Sequence, residues 1–236
     1  MSDATRIQLT LRDITRVYTP NNHQVQAVAG INLILRQGEF VCLAGPSGSG
    51  KSTLLNLIGT LDQPSSGTIH FDNREISSLS RSASALFRRS AIGFIFQTFN
   101  LIPVLTVFEN VEYVLVLQGI GTDERQTRVT MMLAATGLTE LAQRRVTELS
   151  GGQQQRVAVA RALIGNPLLI LADEPTGNLD STSGAAILEL LHHLNREHRT
   201  TILYSSHDPR IISLADRVIL LQDGKIIEDR IQPRGA

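Results

Sequence analysis

The chain has 236 residues, of which 42% are hydrophobic and 19% are charged, and this favours one globular α/β unit over two independent domains. Its 22 lysines and arginines balance 22 aspartates and glutamates, so no overall positive field draws it to nucleic acid, and we expect no nucleic-acid partner. The single cysteine, Cys42, excludes an internal disulfide, and we expect it to be buried in a strand.

The sequence also predicts that the chain has no membrane span of its own. Residues 1–12 lack the apolar run of a signal peptide, and the most hydrophobic segment, 101–120, is interrupted by Pro103, Glu109 and Glu112. Its uncharged pieces are too short for roughly 30 Å of hydrocarbon. We therefore expect any link to a membrane to come through a partner protein.

The first part of the chain reads as strands and a helix around a glycine-rich turn. Alternation and short apolar runs predict strands, and 3.6-residue spacing predicts the helix. In chain order, the predicted elements are antiparallel strands at 7–11 and 25–35, a turn at 37–38, a strand at 40–44, a helix at 52–59, a hairpin at 67–76 and a buried strand at 91–96.

The turn between strand 40–44 and the helix fits G-x-x-x-x-G-K-[ST], the phosphate loop. Its glycines let the backbone N–H groups surround a phosphate at the positive end of the helix. We expect Lys51 to reach the β and γ oxygens and Ser52 to ligate Mg²⁺. The expected nucleotide contacts are Gly45, Pro46, Ser47, Gly48, Ser49, Gly50, Lys51, Ser52 and Thr53. Alone, such a loop does not distinguish among kinases, GTPases, recombinases and transporters.

The second part of the chain predicts a helical insertion and a return to strand–helix alternation. Apolar positions at helical spacing place the insertion at about 98–163, within a single domain of 1–236 whose core is about 1–97 and 164–236. The elements expected after Ser150 are a helix to 163, a strand at 168–172, a helix at 182–197, a strand at 201–205, a helix at 209–213 and hairpin strands at 217–222 and 225–228.

Two carboxylates, Asp173 and Glu174, end the apolar strand 168–172. In an open parallel sheet, the carboxyl ends of the strands face the same crevice as the phosphate loop. We therefore expect Asp173 to hold the Mg²⁺ shell and Glu174 to polarise a water molecule in line with the γ-phosphate.

A second anion-binding helix start is predicted at Ser150-Gly151-Gly152-Gln153, which follows Leu149. Ser150 is a favourable N-cap, and the two glycines permit close approach of an anion to the helix. One nucleotide does not easily use both helix starts of one chain. A head-to-tail pair of chains solves this, because each chain then closes its second helix start on the nucleotide of the other.

Together, Leu-Ser-Gly-Gly-Gln, the phosphate loop and Asp173-Glu174-Pro175 resemble the ABC ATPase family over nearly the whole chain. The resemblance implies an α/β fold with a RecA-like P-loop NTPase core, an N-terminal antiparallel β subdomain and a helical insertion subdomain. It also implies ATP hydrolysis with ATP and Mg²⁺, in an ATP-sandwich dimer of two copies.

Further roles are implied by the resemblance alone. Tyr18 is similar to the aromatic residue that stacks on adenine, and Asp180 to the loop residue that contacts the opposite protomer. Gln97 resembles the glutamine that touches the metal and the attacking water and senses the membrane partner. His207 resembles the histidine that contacts the γ-phosphate. The implied catalytic residues are Glu174, His207, Gln97 and Lys51, and the implied metal ligands are Ser52, Gln97 and Asp173.

The segments 94–103 and 175–180 resemble the ABC subfamily that serves lipoprotein release, macrolide-type export and cell division. This implies an ATPase on the cytoplasmic side of the inner membrane, attached through a separate permease, with a periplasmic adaptor in some systems. We expect a groove near 97–107 to receive the permease, lined by Phe99, Leu101 and Leu105 unless these residues are ordinary core. The alternative is a soluble ABC ATPase of DNA repair or translation.

Overall fold

The N-terminal sheet is antiparallel and has the strand order β2-β1-β4-β5. A computed structural model describes residues 6–19 and 23–232; residues 1–5, 20–22 and 233–236 of the predicted domain lie outside the described part. The strands of this sheet are β1 (Ile7–Tyr18), β2 (Val25–Arg36), β4 (Ser66–Phe71) and β5 (Arg74–Glu75). The predicted strand at 7–11 is therefore longer, and it carries register shifts on both sides of Ile14.

The second sheet forms the centre of the fold, with strand order β10-β9-β3-β8-β7-β6. All of its paired strands are parallel except β10, which pairs antiparallel with β9. Its strands are β3 (Phe40–Ala44), β6 (Ile92–Phe96), β7 (Leu169–Asp173), β8 (Thr201–Ser206), β9 (Arg217–Gln222) and β10 (Lys225–Ile231). Because β3, β8 and β7 are parallel neighbours, the loops that follow them meet at one edge.

Helices cover the central sheet and form a separate group beside it. They are α1 (Lys51–Ile58), α2 (Arg81–Ala91), α3 (Val107–Leu117), α4 (Thr122–Ala135), α5 (Gly151–Leu163), α6 (Ser181–His198) and α7 (Pro209–Ile212), with 3₁₀ turns at Thr139–Leu141 and Val146–Glu148. α3, α4 and part of α5 enclose their own apolar cluster, which includes Val111, Leu115 and Val129. The α/β fold with a helical insertion is thus confirmed, whereas the boundaries at 98 and 163 stay predictions.

The largest element that sequence patterning missed is α2. Its buried residues are Ser84, Phe87 and Ala91, which have helical spacing, but only Phe87 is large and apolar, so the apolar pattern that marks a helix in sequence is short. Cys42 is fully buried as expected, and burial raises the pKa of its thiol to about 12. Within the described residues, no helix has both the length and the hydropathy to cross a bilayer.

Candidate active site

The phosphate loop curls around the buried side chain of Lys51, between β3 and α1. The Lys51 Nζ donates to the carbonyl oxygens of Gly45 at 2.8 Å and Pro46 at 2.9 Å. Ser49 is also buried, and its Oγ has no hydrogen-bond partner among the residues that the structure describes. An ammonium group and a hydroxyl group therefore both lie inside the loop, and both can donate hydrogen bonds to a bound anion.

Glycine is required at both ends of this loop. Gly45 has φ +151°, and a Cβ there would lie 2.2 Å from the carbonyl oxygen of Leu221. Gly50 has φ +103°, and its Cβ would lie 2.3 Å from the carbonyl oxygen of Ala27. Gly50 also caps α1 without any side-chain hydrogen bond. The first N–H groups of α1 therefore remain available to a ligand.

Ser205, a buried residue of the neighbouring strand β8, hydrogen-bonds to both Asp173 and Glu174. The Ser205 Oγ donates to the Asp173 Oδ1 at 2.7 Å, and it accepts from the backbone N–H of Glu174 at 2.8 Å. Glu174 has φ +44°, a left-handed conformation that turns the chain away from the strand direction. The two carboxylates consequently have different partners, since Asp173 Oδ1 contacts Ser205 whereas Glu174 Oε1 contacts His207.

The carboxylate of Glu174 lies between two basic groups. Its Oε1 is 3.0 Å from the Nδ1 of His207 and 4.0 Å from the Nζ of Lys51. Glu174 is half-buried, whereas the side chain of His207 is 61% exposed. Three of the four predicted catalytic residues therefore come together at the carboxyl ends of β3, β7 and β8.

Gln97, the fourth predicted catalytic residue, follows β6 and contacts the loop after β7. Its Nε2 donates to the Oδ1 of Asn178 at 3.4 Å, and the Asn178 Nδ2 donates to the backbone oxygen of Gln97 at 3.0 Å. A Cβ on Gly177 would lie 2.8 Å from the Gln97 Nε2, so the amide packs closely on this loop. The structure thus links Gln97 to the loop that carries Glu174.

Asp180 caps α6 at the end of that loop. Its Oδ1 accepts from the backbone N–H groups of Thr182 at 3.0 Å and Ser183 at 2.9 Å, and its Oδ2 accepts from the Ser183 Oγ at 2.6 Å. Hydrogen bonds from Ser183 lower the pKa of this exposed carboxyl. Its predicted contact with an opposite protomer stays a prediction.

The second predicted helix start, at α5, lies outside the phosphate loop. Ser150 and Gln153 form a capping box, with Gln153 N to Ser150 Oγ at 3.4 Å and Ser150 N to Gln153 Oε1 at 3.0 Å. Gly151 packs near Leu179, which is 3.4 Å from the position of an added Cβ. Among the described residues, no hydrogen bond or ion pair joins 150–153 to 45–53.

Tyr18 ends β1, and its hydroxyl donates to the Oδ2 of Asp62 at 2.8 Å. Its expected contact with adenine stays a prediction. Sequence reasoning missed two polar residues of the site, Ser205 and Asn178. Ser205 had a usable signal, because it is a polar residue at the carboxyl end of an otherwise apolar predicted strand, and such ends face the crevice of a parallel sheet. Asn178 had none, because its contact with Gln97 joins residues far apart in sequence.

A long apolar cleft separates the helical group from the central sheet near β6. Its volume is about 820 Å³, and its lining includes Leu86, Phe94, Phe96 and Leu117. The cleft differs from the predicted groove, because Phe99, Leu101 and Leu105 do not line it. Leu101 packs on the apolar cluster of the helical group, which makes it part of the core instead.

The donor set fits a nucleoside triphosphate with Mg²⁺. Within the described residues, the carboxylate that pairs with the buried ammonium of Lys51 is that of Glu174, at the long distance of 4.0 Å, so the ammonium suits a further anionic partner. The hydroxyl of Ser52 is exposed at the first turn of α1, and the carboxylate of Asp173 is half-buried. A hydroxyl and a carboxylate are oxygen ligands of the kind that Mg²⁺ prefers.

A family model described as ABC transporter matches residues 28–177 of this chain. The chain therefore belongs to the ABC transporter family, as an ATP-binding cassette, and the ABC ATPase predicted from the motifs is confirmed.

Among individual relatives, it is 47% identical over 221 residues to the macrolide export ATP-binding/permease protein MacB of Marinobacter nauticus, covering 94% of this chain and 34% of that protein. It is 45% identical over 222 residues to the uncharacterized ABC transporter ATP-binding protein MJ0796 of Methanocaldococcus jannaschii, covering 92% and 94% respectively. The chain thus spans about a third of the first relative and nearly all of the second.

A solved dimeric structure of MJ0796, in a post-hydrolysis state bound to ADP and Pi, matches the fold with a TM-score of 0.88 at 42% identity. The match covers 97% of this chain and 100% of that chain. These relatives confirm the resemblance to the macrolide-export and lipoprotein-release subfamily. They give no support to the alternative of a soluble ATPase in DNA repair or translation.

Proposed function

We propose that the chain hydrolyses ATP as one half of a head-to-tail pair and drives a separate membrane permease. The observation that carries this proposal is the presence of two glycine-rich helix starts, at α1 and α5, that share no hydrogen bond or ion pair among the described residues. A second copy brings the α5 start of one protomer to the α1 start of the other, and two such contacts close as a twofold pair.

In this proposal, the phosphate loop binds the triphosphate of the substrate ATP. The backbone N–H groups of 47–50 and the N-terminus of α1 surround the β-phosphate, and Lys51 neutralises charge on the β and γ oxygens. Ser52, Asp173 and Gln97 are the residues that would hold Mg²⁺, which supplies further neutralisation of the phosphate charge.

Glu174 acts as the base that orients and polarises the attacking water. The geometry supports this role, because Glu174 N is fixed by Ser205 and its Oε1 lies 3.0 Å from His207. His207 is exposed enough to contact the γ-phosphate on the same side. In the closed pair, the glycine amides of 151 and 152 approach the γ-phosphate held by the opposite protomer, and Asp180 contacts that protomer near the seam.

The permease is expected to occupy the apolar cleft beside β6. Phe96 lines this cleft, and Gln97 follows it directly and bonds Asn178 of the loop that carries Glu174. A permease helix that moves in the cleft would therefore displace Phe96 and, through the next residue of the chain, Gln97 and its contact with the Glu174 loop. We further propose a peripheral position on the cytoplasmic side of the inner membrane and, by similarity to the macrolide export relative, work in export that can include a periplasmic adaptor.

Replacing the proposed base tests the hydrolytic mechanism. The Glu174→Gln variant keeps its size and its ATP affinity, but it loses the general base, so we expect turnover to fall by about 10²-fold or more. It also accumulates an ATP-bound dimer, which size-exclusion chromatography with light scattering measures. Hydrolysis at a near-normal rate would overturn the role of Glu174, and a monomer at saturating ATP would overturn the pairing.

The permease contact has a separate test with a matched control. Leu86 lines the cleft and is 55% exposed, whereas Met131 on α4 is 67% exposed and lies outside it. We expect Leu86→Glu to lower the amount of the chain recovered with membranes of its host, and Met131→Glu to leave it unchanged. Equal recovery of both variants would contradict this docking site. Thermal melting checks that both variants fold.

A further inference from the structure

Tyr18 is fixed by a neighbour on its own strand. Arg16 precedes it by two residues, so the two side chains leave β1 on the same face. The guanidinium carbon of Arg16 lies over the Tyr18 ring, 4.6 Å from its centroid. One face of the ring is therefore covered by a cation, so a flat group that stacks on this ring would use the opposite face.

Asp62 holds both of these side chains. Arg16 donates to it twice, from Nε to Oδ2 at 2.9 Å and from Nη2 to Oδ1 at 2.8 Å, and the Tyr18 hydroxyl donates to Oδ2 at 2.8 Å. The exposed fractions of the Arg16 and Asp62 side chains are 24% and 26%. A two-point Arg–carboxylate pair fixes orientation as well as distance, and partial burial protects it from water.

The position of Asp62 links this pair to the helix that begins in the phosphate loop. The backbone N–H groups of Leu61 and Asp62 both donate to the carbonyl oxygen of Asn56 in α1, at 2.9 Å and 3.2 Å. The backbone of Asp62 is therefore bonded to the end of α1, and its side chain is bonded to residues at the end of β1. These bonds fix the position of the Tyr18 ring relative to α1.

We propose that Asp62 and Arg16 are positioning residues that fix the Tyr18 ring for the adenine base of ATP. This rests on the proposed contact of Tyr18 with adenine, which the base makes on the face opposite Arg16. A ring that is fixed before binding loses little freedom on stacking, so the base gains affinity that a mobile ring would not give. The effect concerns the base alone, because the phosphates bind at the other end of α1.

The test compares the affinities of the full chain for ATP and for tripolyphosphate, measured calorimetrically without Mg²⁺. Tyr18→Ala is expected to weaken ATP binding about tenfold, as expected for a lost stacking contact. Asp62→Asn and Tyr18→Phe are each expected to weaken it about threefold, and their effects add only in part in the double variant, because the Tyr18–Asp62 contact is common to both. All of these variants bind tripolyphosphate as the wild type does.

A matched control removes a different carboxylate, in the turn between β4 and β5. Asp72 pairs with Arg6 at 3.1 Å, so Asp72→Asn makes the same chemical change away from Tyr18, and both affinities stay at wild-type values. If Tyr18→Ala leaves ATP affinity unchanged, the base contact itself is wrong. If Tyr18→Ala weakens ATP binding but neither Asp62→Asn nor Tyr18→Phe does, only the positioning role is overturned. Equal loss for ATP and tripolyphosphate in Asp62→Asn would assign Asp62 to support of α1 instead.

Discussion

Helices α1 and α5 both begin at glycine-rich segments, but they satisfy their first N–H groups differently. α1 starts at Gly50 with φ +103° and no side-chain cap, next to the buried Lys51. α5 starts at the exposed Ser150, which forms a closed capping box with Gln153. The first helix start thus has no side-chain cap and lies beside a buried ammonium group, whereas the second is capped and pre-ordered at the surface. The proposed shared site assigns these two helix starts to its two halves.

The largest effect is expected from a substitution at the α5 helix start alone. In Ser150→Arg, a long cation replaces the small cap at the seam, so the pair fails to close and turnover falls by about 10²-fold or more, as for lost transition-state donors. ATP affinity stays within about twofold, because α1 is untouched. Ser150→Thr is the matched control, since threonine also caps helices. An ATP-dependent dimer of Ser150→Arg, seen by light scattering, would contradict the shared site.

The second prediction compares one glycine from each helix start. In Gly50→Ala, the new Cβ meets the Ala27 carbonyl oxygen at 2.3 Å in a left-handed conformation, so we expect about tenfold or greater loss of ATP affinity and about 1–3 kcal/mol of lost stability. In Gly151→Ala, the nearest atom is 3.4 Å away, and both quantities change little. Calorimetry and thermal melting measure them. Equal losses of ATP affinity and stability in the two variants would contradict the proposed difference between the two helix starts.

A smaller effect is expected from Ser205, which bonds the carboxylate of Asp173 and the backbone N–H of Glu174. Ser205→Ala removes a hydrogen bond to Asp173 and leaves the N–H of Glu174 without its acceptor, at about 1–2 kcal/mol of stability. We expect turnover to fall about tenfold while ATP affinity holds, because the phosphate loop is unchanged. Steady-state kinetics checks this. An unchanged turnover would show that Ser205 does not orient Glu174.

The smallest effect concerns Asp180, which caps a third helix start, α6. Hydrogen bonds lower its pKa in the folded state, so its stabilising contribution is present above the unfolded pKa of about 4 and is lost as pH falls through the folded pKa. Asp180→Asn keeps a cap without a charge. The melting temperature of the wild type should therefore fall more than that of Asp180→Asn between pH 6 and pH 3. Parallel falls would contradict the assignment.

Much of the fold could be predicted from short-range patterns in the sequence. β3 and β9 were predicted with their observed bounds, and α5 was predicted from its N-cap, because these elements carry continuous apolar runs or local capping signals. α2 was missed because serine and alanine carry much of its buried face. The full length of β1 was missed because the register shifts near Ile14 interrupt its alternation.

The sequence singled out the candidate residues of the site but not the bonds between them. Lys51, Asp173 and Glu174 were singled out because a motif or a strand end marks them locally, and His207 was singled out by the family resemblance; their catalytic and metal-binding roles stay predictions. The bonds of Ser205 to Asp173 and of Asn178 to Gln97 join residues 32 and 81 positions apart. Such contacts depend on which strands become neighbours, and a single sequence does not specify that order. The same holds for the cleft, whose lining comes from α2, β6, α3 and α5 together.

Mixing two inactive variants tests the shared site most directly. Lys51→Ala damages the α1 half, and Ser150→Arg damages the α5 half, so each variant alone has no complete site. In a head-to-tail mixed dimer, one site combines both defects and the other is entirely wild type. We therefore predict that mixing restores ATP hydrolysis, up to about a quarter of the wild-type rate for equal mixing with one good site in half of the dimers. A mixture no more active than its components would contradict the shared site.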